Sequence, residues 1–419
     1  MPPRFHLLIA AQFTSALADN ALLIVAIGVL SEQGFAGWWA PLLKFALTLS
    51  YVLFAPFVGP LADAFRKARL MAWMNAVKMV GALLLVAGGH PVLAFAVVGF
   101  GAAAYAPAKY GLITELVPPD RLVAANGWIE VTIVCAALLG TVIGGVLVSP
   151  AVLASSLFVG ARDALQTVPA MHDGAYTVSL LALLAVYGLA ALLNIGVPDS
   201  GARYPASRMH VGLLSAEFWQ AHLTLWRDRD GALSLAVTTI FWGVGATLQF
   251  AVLRWAADVL QLPLSQAAYL QAAVAIGVIV GASAAGRLVP LDRAKRVLGV
   301  GVALGLMMPA VASTNQLQWA VPLLAVVGAV AGFMVVPLNA LLQHRGCQLL
   351  SAGRSVAVQG FNENASVLGM LAVYALLTAL EVDIVALLWG FGLCIAASMA
   401  LLMRAEHGRA RFRLPQGEG

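Results

Sequence analysis

Leu7-Leu8-Ile9-Ala10-Ala11-Gln12-Phe13-Thr14-Ser15-Ala16-Leu17-Ala18-Asp19-Asn20-Ala21-Leu22-Leu23-Ile24-Val25-Ala26-Ile27-Gly28-Val29-Leu30 is a continuous apolar run broken by one ionisable residue, Asp19. At 1.5 Å per residue a helix of this length is about 36 Å long, enough to cross the ~30 Å hydrocarbon core of a bilayer. A cleaved leader is excluded by its length, by the absence of a small-residue cleavage site, and by Asp19.

The rest of the chain repeats this pattern. Of 419 residues, 61% are hydrophobic and 10% charged, and the mean hydropathy is +0.90. Soluble chains carry about 25% charged residues, so a soluble globular fold and disorder are both excluded. Twelve apolar stretches follow one another near 7–30, 41–62, 70–89, 92–116, 122–148, 176–197, 232–258, 266–289, 297–313, 319–342, 354–379 and 385–403. The expected fold is an all-α integral membrane protein of twelve transmembrane helices in two six-helix bundles. Cys135, Cys347 and Cys394 lie far apart without metal or disulfide spacing, and no cofactor or metal motif is present.

Basic residues fix the orientation. If both termini face the cytoplasm, the inner segments hold Arg4; Arg66, Lys67 and Arg69; Arg121; Arg203, Arg208, Arg227 and Arg229. They also hold Arg287, Arg293, Lys295 and Arg296; Arg345 and Arg354; and Arg404, Arg409, Arg411 and Arg413. These are nineteen of the 24 Lys and Arg, against Arg162 alone in an outer loop. That is a strong positive-inside asymmetry. The net charge of +5 therefore reflects topology and contact with membrane lipids, not nucleic acid.

Four regions follow: a bundle over 1–197, a cytoplasmic connector over 198–231, a second bundle over 232–403 and a basic tail over 404–419. In the connector Leu213, Leu214, Phe218, Ala221, Leu225 and Trp226 recur at helical spacing. They fit an amphipathic helix at the inner membrane surface or one packed on the bundle. Residues 149–175 form an outer insertion of unread purpose.

The halves repeat. Asn126-Gly127-Trp128-Ile129-Glu130 matches Gln359-Gly360-Phe361-Asn362-Glu363, Pro107 matches Pro337, and Gly59–Arg69 matches Gly286–Arg296, in the same order and offset by about 230 residues. Such a repeat is the two-bundle transporter plan, with the substrate site expected between the halves. Gly59-Pro60-Leu61-Ala62-Asp63 with Arg66, Lys67 and Arg69 resembles the signature loop of the major facilitator superfamily. There glycine permits close helix approach and the charges meet helix ends and anionic lipid.

The embedded ionisable residues carry the function. Asp19 lies roughly 18 Å into its span, and Glu130, Glu363 and Lys109 about 10–14 Å from their cytoplasmic ends. Each costs on the order of 3 kcal/mol at the bilayer centre, so they face a polar cavity, one another or a ligand. Asn20, Asn126, Asn362 and Asn364 gather beside them. Arg254 reads equally as a cavity or interface residue. Lys44 and Lys78 read as snorkelling side chains.

Ala11-Gln12-Phe13, Ala18-Asp19-Asn20-Ala21-Leu22-Leu23, Leu53-Phe54-Ala55-Pro56-Phe57-Val58-Gly59, Gly101–Gly111 with its Pro107-Ala108-Lys109-Tyr110, Phe241-Trp242-Gly243 and Val335–Gln343 with its Pro337-Leu338-Asn339 resemble the bacterial lysophospholipid transporters of the major facilitator superfamily. The resemblance implies inward flipping of lysophosphatidylethanolamine and related lysolipids across the bacterial inner membrane. It also implies a cytoplasmic acyltransferase that re-acylates them. It supports Asp19, Lys109 and Glu363 as polar cavity residues, and the candidate substrate set is Asp19, Asn20, Lys109, Tyr110, Glu130, Gln249, Arg254, Asn339 and Glu363. It departs at Gln249, where the family pattern has arginine; Arg254 stands about 140° further around the helix. By the repeat, Glu130 and Glu363 are expected to face the cavity from opposite sides.

A proton-coupled exporter of amphipathic drugs is the alternative for the same architecture. A membrane acyltransferase is rejected, because no histidine has an aspartate five residues on and no Ser/His/Asp set or metal cluster lies in a span, and the lack of a phosphate-gripping glycine loop argues against ATP hydrolysis.

Overall fold

The computed structural model describes residues 3–165, 174–204 and 210–411. Arg208, Arg413, and parts of the outer insertion, the connector and the basic tail lie outside the described residues. The described chain is helical, with sixteen α-helices and no strand. The helices are α1 (Pro3–Glu32), α2 (Ala40–Leu53), α3 (Ala55–Ala64), α4 (Lys67–Val86), α5 (Pro91–Leu116), α6 (Leu122–Leu147), α7 (Pro150–Leu153) and α8 (Ser156–Leu165). They continue as α9 (Thr177–Gly196), α10 (Val211–Arg227), α11 (Arg229–Asp258), α12 (Leu264–Leu288), α13 (Leu298–Ala312), α14 (Leu317–Leu349), α15 (Ala352–Ala379) and α16 (Ile384–Arg411).

Ten of the described helical segments are long and apolar enough to cross a membrane, and an eleventh is the pair α2–α3. α15 is 28 residues long, about 42 Å, but carries Arg354, Asn362, Glu363 and Asn364 and is not among the helices apolar enough by that measure. The run 41–62, read as one helix, is instead two helices bent by 66° at Phe54. The cause is Pro56, which lacks an N–H and whose ring excludes a straight continuation. The run 297–313 is preceded by a 3₁₀ stretch, Leu291–Val297. The connector does form a helix, α10, and it buries Leu214, Phe218, Ala221 and Leu225.

The chain forms two compact units. The first comprises Met1–Pro119, Thr132–Asp228 and Gln343–Leu368; the second comprises Asp120–Val131, Arg229–Leu342 and Gly369–Gly419. In the first, α1, α2, α4, α5 and α9 pack around a core that includes Leu22, Val25, Phe95, Val98 and Tyr187. Gly140 and Gly144 of α6 let that helix lie against Leu17, Asn20 and Ala21 of α1, so small residues set the depth at which Asp19 and Asn20 are held. In the second unit, α11, α13 and α16 pack around the fully buried Trp255. There Gly277 and Gly281 of α12 meet the backbone of Ala325 and Ala329 in α14, while Gly328 and Gly332 meet Val274 and Val278 in return.

Candidate functional site

Asp19 sits at the centre of a polar cluster inside the first unit. Its Oδ2 accepts from Lys78 Nζ at 2.7 Å and its Oδ1 from the Tyr187 hydroxyl at 2.7 Å. Lys78 Nζ also donates to Ser15 Oγ at 3.1 Å, and Ser15 donates to Asn75 Oδ1 at 2.7 Å. The Lys78 ammonium lies over the rings of Tyr105 and Tyr187, 5.1 and 5.9 Å from their centroids. Tyr105 in turn donates to Asn194 Oδ1 at 3.4 Å. One turn below Ser15, the amide of Gln12 is buried with no hydrogen-bond partner among the described residues, as is Nδ2 of Asn75 and of Asn194. Such concentrated polarity among long apolar helices is costly, and the cluster offers both donors and acceptors to a polar ligand.

The other expected site residues divide between the units. Asn20 turns back to its own helix, donating to Ala16 O at 2.8 Å. Lys109 is 8% exposed, with Nζ 4.1 Å from the Tyr110 ring centroid. Pro107, two residues before Lys109 within α5, deprives the Ala103 carbonyl of its helical partner. Glu363 Oε1 accepts from Gln359 Nε2 at 2.7 Å. Tyr51 of α2 lies within electrostatic reach of both Asp19 and Glu363, and its ring is 3.9 Å from where a Cβ on Gly360 would be. The first unit therefore gathers Asp19, Glu363 and Tyr51 in one neighbourhood.

In the second unit, Glu130 and Asn339 are each 5% exposed. Gln249 is exposed, and its carbonyl accepts from Gln271 Nε2 at 2.8 Å. Arg254 pairs with Asp258 at 3.3 Å and reaches Thr378 Oγ1 and the Val382 carbonyl. Arg254 thus ties the end of α11 to the end of α15 and the turn after it.

The signature loop forms a second cluster, all within the first unit. Asp63 accepts from the Ser351 hydroxyl and from the Gly353 N–H at 3.0 Å. Lys67 pairs with Glu115 at 2.6 Å, both side chains being buried, and Lys67 Nζ lies 4.8 Å from the Tyr204 ring centroid. Arg66 pairs with Asp199 at 2.8 Å, while Arg69 is exposed. Arg203, then Arg66, hold the Asp199 carboxyl well below the usual carboxylate range. Burial and the Glu115 charge push the Tyr204 hydroxyl up. The connector joins this cluster: Glu217 of α10 pairs with Arg354 at 2.6 Å, and Phe218, Trp219 and His222 pack edge-on against Phe361.

Sequence reasoning missed Lys78, Tyr187, Tyr105 and Tyr51. Lys78 reads as a snorkelling residue from its place in the chain, and the tyrosines as ordinary span aromatics. The available signal was the count of embedded charges, since Asp19 needs a cation.

Residues 8–371 match the model of the Major Facilitator Superfamily. The Lysophospholipid transporter LplT of Citrobacter koseri is 38% identical over 395 residues, covering 94% of this chain and 93% of that protein. LplT of Escherichia coli K12 is likewise 38% identical, covering 94% of each. Among solved structures, the E. coli fucose:proton symporter FucP superposes with a TM-score of 0.72 at 14% identity, covering 95% of this chain and 97% of that one. A bacterial homologue of the iron transporter ferroportin, in an outward-facing state, gives 0.70 at 14% identity, covering 96% and 100%.

Proposed function

Because this chain belongs to the Major Facilitator Superfamily and, within it, to the lysophospholipid transporter family, we propose that it moves lysophosphatidylethanolamine and related lysolipids from the outer to the inner leaflet of a bacterial inner membrane. It is a transporter and not an enzyme. In this reading both termini are cytoplasmic, and the flipped lysolipid is re-acylated by a cytoplasmic acyltransferase. The bundles 1–197 and 232–403 alternate access, joined by the connector 198–231.

The observation that carries the reading is the buried Asp19 cluster in a chain of this family. A zwitterionic headgroup brings an ammonium and a phosphate. Asp19 offers the carboxylate, and Lys109, two residues after Pro107 in α5, offers the cation. Asn20, Tyr110, Gln249, Arg254, Asn339 and Glu363 complete the proposed substrate set, and Glu130, 5% exposed, joins it only in a state of the transport cycle that opens it to the cavity. The Gly59–Arg69 loop is the proposed conformational element, because Asp63 holds the start of α15 and Lys67 anchors on Glu115.

The test is uptake of radiolabelled lysophosphatidylethanolamine in spheroplasts lacking their own transporter. Asp19→Asn and Lys109→Ala should each abolish uptake with the protein still folded in the membrane. Wild-type uptake in both variants, or drug efflux without lysolipid uptake, refutes the assignment.

A further inference from the structure

We propose that Lys78 is the built-in counter-ion of Asp19, standing where a substrate ammonium would stand and so setting which headgroups the site accepts. The inference rests on the lysolipid reading above.

Lys78 is placed with care by its surroundings. Its side chain is 2% exposed while that of Asp19 is 21% exposed, so the aspartate side chain keeps open surface and the lysine has almost none. The stem runs against Gly101, where a Cβ would lie 2.8 Å from Lys78 Cγ. Tyr105 and Tyr187 present their ring faces to the charge, a contact that favours a desolvated cation. A snorkelling lysine keeps its ammonium in water at the membrane edge; this one turns inward to Asp19 and Ser15.

The charge consequence is direct. Asp19 and Lys78 cancel, so the pair presents no net negative charge to an arriving ligand. An ionised carboxylate has about four lone-pair positions, and Lys78 and Tyr187 use one on each oxygen. An ammonium that reaches the carboxylate from the open part of the Asp19 side chain arrives beside a fixed positive charge. It must either share Asp19 against that repulsion or displace Lys78 toward Ser15, which already accepts from it. Lys78 therefore weakens ammonium binding selectively. A headgroup without an ammonium, such as glycerol, does not compete for Asp19 and is not penalised in this way.

The test is equilibrium binding of radiolabelled lysophosphatidylethanolamine and lysophosphatidylglycerol to purified protein in nanodiscs. Lys78→Met keeps an unbranched side chain only one atom shorter and removes its charge. It should tighten the ethanolamine lipid relative to the glycerol lipid on the order of tenfold, the scale of a close charge pair. Lys78→Arg should keep the wild-type ratio, and Asp19→Asn should move the ratio the other way. A ratio unchanged in Lys78→Met, or both lipids weakened in parallel, overturns the proposal by leaving Lys78 a structural residue. If Lys78→Met does not fold, Asp19→Asn decides: equal weakening of the two lipids overturns it. A wild-type protein that binds neither lysolipid removes the substrate reading and this inference with it. Wild-type binding with an indifferent Lys78 removes this inference alone.

Discussion

The backbone N–H of Gly353 donates to the Asp63 carboxylate at 3.0 Å across 290 residues of chain. Ser351 donates its hydroxyl to the same carboxylate and accepts from the Arg354 N–H, so Asp63 caps the first turn of α15, where the helix dipole favours an anion. The approach is close because Gly353 and Gly59 both lack side chains: a Cβ on Gly353 would stand 2.6 Å from the Gly59 carbonyl and 2.7 Å from Asp63 Oδ1. Asp63→Asn should cost about 1–2 kcal/mol of stability, since it removes a charge-assisted bond and an anion from a helix start. Gly353→Ala should also destabilise, by separating the loop from α15. Thermal unfolding in detergent measures both, and unchanged melting in the two variants would refute the cap.

Lys67 and Glu115 form a buried pair in the same unit, and Glu115 also accepts from Tyr204 at 3.0 Å and Ser200 at 2.5 Å. Removing one partner strands a desolvated charge, so Lys67→Ala should cost about 3 kcal/mol or more. Lys67→Ala with Glu115→Ala should cost less than the sum of the singles. The exposed Arg66 pairs with Asp199 on the surface, and Arg66→Ala should cost under about 1 kcal/mol. Equal losses for Lys67→Ala and Arg66→Ala would contradict the burial argument.

How far the fold is legible in the residues depends on the length scale of the cause. Apolar runs and segregated cations act locally, so the helical spans and α10 follow from counting, while the family comes from the resemblance of motifs such as Ala18–Leu23 and Gly101–Gly111. The bend between α2 and α3 was also within reach, because Pro56 is visible. Asp19, Lys109 and Glu363 stand out because a buried charge is expensive wherever it lies. Their partners do not stand out. Lys78 meets Asp19 from 59 residues away and Tyr187 from 168, and nothing in the local pattern of α4 or α9 separates a counter-ion or hydroxyl donor from a snorkelling lysine or a core tyrosine. The partner of Asp63 is hidden for the same reason. Arg254 shows the reverse case: its spacing left two readings, and only packing against Thr378 and Val382 ties it to a helix end.

The orientation of the chain is testable by fusion. Nineteen of 24 cations fall in the segments assigned to the inside, so a reporter placed after Leu402 should be active only when it matures in the cytoplasm. Activity restricted to a periplasm-dependent reporter would invert the topology and the proposed direction of transport.

His222 gives the connector a dependence on pH. It lies in α10 against Phe361, beside Phe218, Trp219 and Trp226, and Asn362 Nδ2 is 3.4 Å from its Nδ1. Burial holds its imidazole below the ordinary 6.5. Above pH 6.5 the ring is neutral in the folded and the unfolded chain, and its contribution is full. As pH falls below 6.5 the unfolded chain takes the proton first, so stability is lost. Melting temperature should decline between pH 7 and pH 5, with a shallower decline in His222→Gln. Equal slopes would show that His222 does not titrate against folding.

Glu130 and Glu363 occupy matching places in the repeat, yet their surroundings differ. Glu130 is 5% exposed and belongs to the second unit; Glu363 is half-buried, belongs to the first unit, and is steadied by Gln359. Duplication makes the positions equivalent in sequence, but solvent access is set by packing, which the two halves do not share. A thiol at each position reads that access directly. Cys135, Cys347 and Cys394, all free, are first replaced by serine. In that background Glu363→Cys should react with a water-soluble thiol reagent and be protected by lysophosphatidylethanolamine, whereas Glu130→Cys should stay unreactive. Lysolipid-protected labelling of both would restore the symmetric arrangement expected from the repeat. Reaction at Glu130→Cys alone would place the ligand-facing carboxylate in the second unit and move the proposed site away from Glu363.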